Sequence, residues 1–193
     1  MRKIILASGS KARQKLLRQM GLKFTVALSR TRECHILRGK ASRIVMNNAM
    51  EKALDVARRY RSGVVIGADT VVLVGKKMIG KPRDLKDARR TLKLLSNKPQ
   101  WVYSGVAVID IDNGKRYLDY EKTKIYMYKL SDKQIMNYFK KVSPLDKAGS
   151  FDIQGLGGIF IDRIEGCFYN VVGLPIAKLA GMLRRTGIDF FEK

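Results

Sequence analysis

The chain has 193 residues, with 39 lysines and arginines against 17 aspartates and glutamates, a formal net charge of +22. Hydrophobic residues make up 46% and charged residues 29%, which excludes disordered, collagen-like and coiled-coil chains and leaves one domain or two small lobes sharing a core. No apolar run approaches the ~20 residues of a membrane-spanning helix, and the apolar start at residues 4–7 is too short for a signal peptide.

The first element is a short buried strand over residues 3–7. Ser8-Gly9-Ser10 breaks it, and a helix follows from Lys11 to Met20, with Gly21 as its stop. Phe24 to Leu28 alternates like a second strand. Ser42 is placed to cap a long helix reaching about Tyr60, with Ile44, Val45, Ala49, Ala53, Val56 and Ala57 on one face. Residues 64–74 read as two apolar runs interrupted by Gly67-Ala68-Asp69-Thr70. A turn at Ile79-Gly80-Lys81-Pro82 leads into a helix from Asp84 to about Ser96. Trp101 to Ile111 and Tyr117 to Tyr128 form a hairpin around Asp112-Asn113-Gly114. Ser131 and Gln134 fit a capping box for a helix to about Val142. A glycine-rich stretch, Gly149 to Gly158, precedes a strand from Ile159 to Ile164, and Pro175 opens a last helix ending near Gly187. Strands and helices alternate early and a hairpin sits in the middle, which predicts an α/β fold with a mixed sheet.

Four constellations can carry chemistry. Ser8-Gly9-Ser10 before a helix, with Arg13 one turn in, suits an anion, although the same residues serve equally as a turn and cap. Asp69, embedded among apolar residues of a basic chain, needs a partner, a metal or a cleft to offset its desolvation; a turn aspartate is the plain alternative. Lys81 in a rigid turn and Lys52 beside small apolar residues are candidate anion ligands. The stretch from Asp146 to Gly158 combines acid, base and amide with many glycines, as where backbone approaches a ligand.

Several classes are absent. Cys34 and Cys167 offer one bridge at most, no disulfide framework, so a reduced, cytoplasmic protein is expected. His35 is the single histidine, which leaves no zinc cluster and no serine triad with support around it. The positive surplus attracts polyanions, but it is spread along the chain as on a solvated lysine-rich surface, and no aromatic platform for single strands is evident. Plentiful cations with few carboxylates fit phosphate chemistry assisted by a hard cation such as Mg²⁺.

Together these segments resemble the Maf family (septum formation protein Maf), nucleoside triphosphate pyrophosphatases. The resemblance rests on Ile5-Leu-Ala-Ser-Gly-Ser10 with Arg13, Glu33, Ala49-Met-Glu-Lys52-Ala53, Gly67-Ala-Asp-Thr70, Gly80-Lys-Pro82, Asp146-Lys-Ala-Gly149, Ile153-Gln-Gly155 and Val171-Val-Gly-Leu-Pro175. It implies one Maf-like domain over residues 1–193, an ITPase-like fold with two lobes around a central cleft, and a homodimer. It also implies hydrolysis of a nucleoside triphosphate to the monophosphate and pyrophosphate. In that reading Asp69 is the catalytic proton acceptor, and Glu33 with Asp69 holds a divalent cation, Mg²⁺ or else Mn²⁺ or Co²⁺. Ser8, Arg13, Lys52 and Lys81 take the substrate's phosphates.

Thr70 and Gln154 match the branch of the family that takes dTTP and UTP, and one amide offers a pyrimidine edge both a donor and an acceptor. The sequence departs from the family pattern at Ala12, where an arginine linked with specificity stands, at Phe151-Asp152 in place of Tyr-Gly, and at Tyr128 in place of an arginine. The alternative is a nucleic-acid-binding or cell-division regulatory protein on the same fold.

Overall fold

A computed structural model describes residues 2–33, 39–145 and 147–191. Cys34, His35 and Asp146 lie outside the described residues. The elements in chain order are β1 (Ile4–Leu6), α1 (Lys11–Gln19), β2 (Thr25–Val26), α2 (Ala41–Ala57), β3 (Val64–Val74), β4 (Lys77–Ile79), α3 (Leu85–Leu95), β5 (Gln100–Asp110), β6 (Arg116–Met127), α4 (Asp132–Phe139), β7 (Ile161–Glu165), α5 (Phe168–Val172) and α6 (Ile176–Arg184). The sheet order is β2-β1-β3-β5-β6-β7, with β4 on β3. Pairing is mixed: β1 runs parallel to β2 and β3, whereas β3–β4 and β6–β7 are antiparallel. The expected α/β class with a mixed sheet and flanking helices is what is found. No helix among the described residues is long and apolar enough to cross a membrane.

Two compact units divide the chain. The first comprises residues up to Thr70, Ser104–Glu121 and the chain from Val172 onward; the second comprises Val71–Tyr103 and Lys122–Val171. Strand alternation sends successive residues of the first unit to opposite faces. Leu6, Ile66, Val106 and Val108 pack with Leu16 and Leu17 of α1 and Leu179 and Leu183 of α6. Ile5, Val65, Ala107 and Ile109 pack with Ala49, Ala53 and Val56 of α2. Strands covered on both faces read as unbroken apolar runs, as Val64-Val65-Ile66 does.

Small residues let α2 lie close. A Cβ on Gly67 would stand 2.1 Å from the Ala49 carbonyl oxygen, and one on Gly105 would stand 2.2 Å from that of Val45. Gly67 therefore marks a helix crossing. This corrects the expected interruption at residues 67–70: β3 runs through them without a break, and Asp69 lies mid-strand. Ser42 is also not the cap of α2. The helix begins at Ala41, with Lys40 at the cap position and no side-chain cap bond.

In the second unit, Val72, Val102 and Ile125 pack with Ile79 and Leu95, and Ile135 and Tyr138 of α4 pack with Leu92 and Phe160. The capping box at Ser131 and Gln134 forms as expected, and Asp84 caps α3. The second predicted strand shrinks to Thr25–Val26, both exposed. Short α5 and β4 carry no periodicity long enough to read, and neither was expected.

Candidate active site in the first unit

Residues Ser8 to Ser10 join β1 to α1. The Ser10 side chain accepts from the Arg13 backbone N–H at 3.4 Å, capping the helix. Arg13 turns inward instead of toward solvent and is 9% exposed. It donates through Nε to the Gly173 carbonyl at 2.8 Å, through Nη1 to Ser8 Oγ and the Ala68 carbonyl at 3.0 Å each, and through Nη2 to Thr70 Oγ1 at 3.0 Å. Thr70 Oγ1 also lies 2.8 Å from Ser104 Oγ. Arg13 thus ties together three distant segments that resemble the family. Burial pushes its guanidinium below the ordinary value, and the charges of Asp69 and Glu33 pull the other way.

Asp69 is 4% exposed, a position where an unpaired carboxylate is strongly disfavoured. Lys52 Nζ donates to its Oδ1 at 2.7 Å, and Asn48 Nδ2 donates to its Oδ2 at 2.8 Å. Asn48 and Lys52 stand one turn apart on α2 and so present to the same spot. Lys52 Nζ also lies 2.6 Å from Glu33 Oε1 and 3.3 Å from the Ala68 carbonyl. All three ammonium donors are engaged.

Two carboxylates, Asp69 and Glu33, thus converge on the Lys52 ammonium. A carboxylate offers about four acceptor positions, and Lys52 and Asn48 occupy two of those on Asp69. The donor set therefore fits a hard divalent ion, which commonly takes one or two carboxylates and completes its shell with phosphate and water. Among the described residues no three histidine, cysteine, aspartate or glutamate side chains cluster as a self-sufficient metal site.

The first unit thus brings Ser8, Arg13, Glu33, Lys52, Asp69 and Thr70 together, with Ala12 half-buried in the first turn of α1. Lys81 and Gln154 belong to the second unit. There Lys81 is exposed, and the Gly149 N–H donates to the Gly80 carbonyl beside it at 3.4 Å. Gln154 is half-buried, and its N–H donates to Asp152 Oδ1 at 3.0 Å. The departure at Asp152 thus builds an Asx-type turn that supports the Gln154 backbone. Tyr128 is 56% exposed.

Sequence reading missed Asn48. The signal was an amide one turn before Lys52 on a helix face otherwise made of small and apolar residues. Replacing Asn48 with leucine removes one of the two donors that orient Asp69. Such supporting contacts are worth about 10- to 100-fold in activity. Asn48→Leu is expected to lower kcat by that factor with KM changed little, and unaltered steady-state kinetics in a folded variant would refute this.

A model of the Maf family, described as Maf-like protein, matches residues 3–186. The chain belongs to the Maf family. It is 41% identical over 194 residues to a dTTP/UTP pyrophosphatase of Methanosarcina barkeri, covering 100% of this chain and 98% of that one. A dTTP/UTP pyrophosphatase of Desulforamulus reducens is 43% identical over 189 residues, covering 98% and 99%, and one of Caldicellulosiruptor saccharolyticus is 39% identical over 196 residues, covering 100% and 98%. Among solved structures, the Staphylococcus aureus Ham1 protein matches with a TM-score of 0.47 and 13% identity over 66% of this chain and 73% of that chain.

Proposed function

We propose that this protein hydrolyses dTTP and UTP to the nucleoside monophosphate and pyrophosphate, with Asp69 accepting the proton of the attacking water. The full-length likeness to dTTP/UTP pyrophosphatases at about 40% identity supports the reaction class. The observation that carries the mechanism is the buried Asp69 carboxylate, oriented by Lys52 and Asn48 from a single helix.

Water attacks the α-phosphorus, its proton passes to Asp69, and the bond to the bridging oxygen of pyrophosphate breaks. Arg13, Lys52, Glu33 and Asp69 sum to zero charge, so these four side chains alone do not offset a triphosphate. Asp69 and Glu33 would hold a divalent ion, which when bound would add positive charge beside the phosphates and polarise their oxygens. Lys52 has no donor to spare, so a phosphate oxygen reaching it replaces a partner; Glu33, whose side chain is 39% exposed, is the one placed to yield. Ser8, bonded to Arg13 just before the helix start, serves in this arrangement as a phosphate ligand.

For Lys81 as a phosphate ligand, and for Thr70 and Gln154 as markers of the dTTP/UTP branch, the support is the match of their motifs. The homodimer belongs to the same proposal and is tested by sedimentation. The experiment for specificity is pyrophosphate release from dTTP, UTP, CTP and 7-methyl-GTP with Mg²⁺, for the natural chain, Gln154→Ala and Ala12→Arg. A lost amide pairing with a base costs about 1–2 kcal/mol, roughly 10-fold in kcat/KM. Gln154→Ala is expected to lower kcat/KM for dTTP and UTP by that factor while barely touching 7-methyl-GTP. Equal loss on every nucleotide would remove Gln154 from base recognition.

A further inference from the structure

Arg13, Lys52, Glu33 and Asp69 sum to zero charge, so the chain's net charge of +22 lies outside these four side chains. One face of the second unit sets part of that charge beside aromatic rings. On β6, Thr123 and Ile125 point into the core, at 0% and 1% exposure, so Lys122, Lys124 and Tyr126 project from the opposite face. Trp101 of β5 alternates in the same way with Val102, which is 2% exposed. Arg163 of β7 is paired in register with Tyr126.

These side chains form a row across three strands. Lys122 Nζ and Lys124 Nζ lie 5.4 and 5.5 Å from the centre of the Trp101 ring. Lys124 Nζ also lies 4.8 Å from the centre of Tyr126, and the Arg163 guanidinium carbon lies 3.7 Å from that same ring. Cations and aromatic faces therefore alternate as Trp101, Lys124, Tyr126, Arg163. Two carboxylates stand at the Arg163 end of the row. Asp162 and Glu165 contact Arg163 at 3.5 and 3.3 Å, and Glu165 also accepts from the Tyr126 hydroxyl at 3.2 Å. Glu165 faces Lys124 in the register yet turns to Arg163.

We propose that this face of β5, β6 and β7 binds single-stranded nucleic acid. Bases stack on Trp101 and Tyr126, and the lysine ammoniums that cover those rings move onto the phosphates. Aromatic rings with interleaved cations are the minimum equipment for sequence-tolerant binding of single strands, and a net positive chain draws the polyanion in. The sequence alone hid this platform. Trp101 and Tyr126 are 25 positions apart, and only the pairing of β5 with β6 brings them to one surface.

Trp101 is the single tryptophan of the chain, so its fluorescence reports on this face. Titration with unstructured oligo(dT) or oligo(rU) is expected to quench it saturably, with affinity falling steeply from about 50 to about 200 mM salt. Labelled oligonucleotide, read by anisotropy, is expected to bind Trp101→Ala roughly 10-fold more weakly and Trp101→Phe nearly as well as the natural chain. Lys124→Ala is expected to reduce the salt slope by about one. Asp69→Asn, altered in the other unit, is expected to bind the oligonucleotide undiminished.

Absence of quenching overturns the proposal. So does inorganic polyphosphate that quenches and competes as well as the oligonucleotide, which would show charge attraction without stacking. Displacement of the oligonucleotide by dTTP would place binding at the nucleotide site instead. Loss of self-association in Trp101→Ala, with no oligonucleotide response, would assign the face to a second copy of this chain.

Discussion

Asp69→Asn is expected to lower pyrophosphate release from dTTP by about 10²- to 10⁴-fold, the range that a positioned proton acceptor contributes. Asparagine has the same shape; its carbonyl oxygen still accepts from Lys52, and its NH2 group donates to Asn48 once that amide turns its oxygen inward, so the fold and the position of α2 are retained. What it cannot do is take a proton from water. The substitution also changes the charge of Arg13, Lys52, Glu33 and residue 69 together from zero to +1, which favours a triphosphate. With Mg²⁺ saturating, so that loss of one carboxylate does not empty the cation site, the expected signature is therefore a collapse of kcat with KM unchanged or lower. Equal losses in binding and turnover would point instead to a structural role for Asp69, and a variant within tenfold of the natural rate would end its assignment as proton acceptor.

The largest expected effect on stability is that of Gly67→Ala. Its added Cβ would meet the Ala49 carbonyl at 2.1 Å, the Ala53 Cβ at 2.9 Å and the Ala53 nitrogen at 3.0 Å. Two of these are backbone atoms and cannot rotate aside, so α2 must lift off β3. Overpacking of this kind costs typically 1–3 kcal/mol and occasionally more, and a backbone clash belongs at the upper end. For a chain of this size, about 3 kcal/mol lowers Tm by roughly 10 °C. Activity is expected to fall even where the variant stays folded, because Asn48 and Lys52 ride on the helix that the new Cβ would push away through Ala49 and Ala53. Gly181→Ala is the control. It sits in α6 with nothing within 4 Å of its Cβ and is expected to stabilise the helix by about 0.5–1 kcal/mol. Equal thermal midpoints for Gly67→Ala and the natural chain would refute the close crossing.

Much of the fold was legible because it follows from local rules. The helix after Ser10, the capping box at Ser131 and the hairpin at residues 112–114 each depend on neighbours within a few positions. The misreadings share a different cause. Gly67-Ala68-Asp69 looks like a turn because glycine usually punctuates strands, but here glycine answers to Ala49, a residue 18 positions away. Ser42 looks like a cap, yet α2 starts one residue earlier without one.

The same distinction runs through the candidate site. Asp69 and Lys52 stood out as charges in apolar surroundings, which a sequence shows directly. Asn48 is neutral and small, and nothing marks it until β3 is laid against α2. Arg13 was read as an anion ligand at a helix start; its four bonds to Ser8, Ala68, Thr70 and Gly173 show that it also fastens the segments carrying the site. That second role depends on contacts across as many as 160 positions, which no local pattern records.

The most direct test of the account is the fate of the oxygen of the attacking water. Hydrolysis of dTTP in ¹⁸O-labelled water, followed by mass spectrometry of both products, shows which phosphorus was attacked. Attack at the α-phosphorus beside Asp69 predicts one heavy oxygen in dTMP and none in pyrophosphate. Label in the pyrophosphate, or products that are dTDP and orthophosphate, would contradict the account.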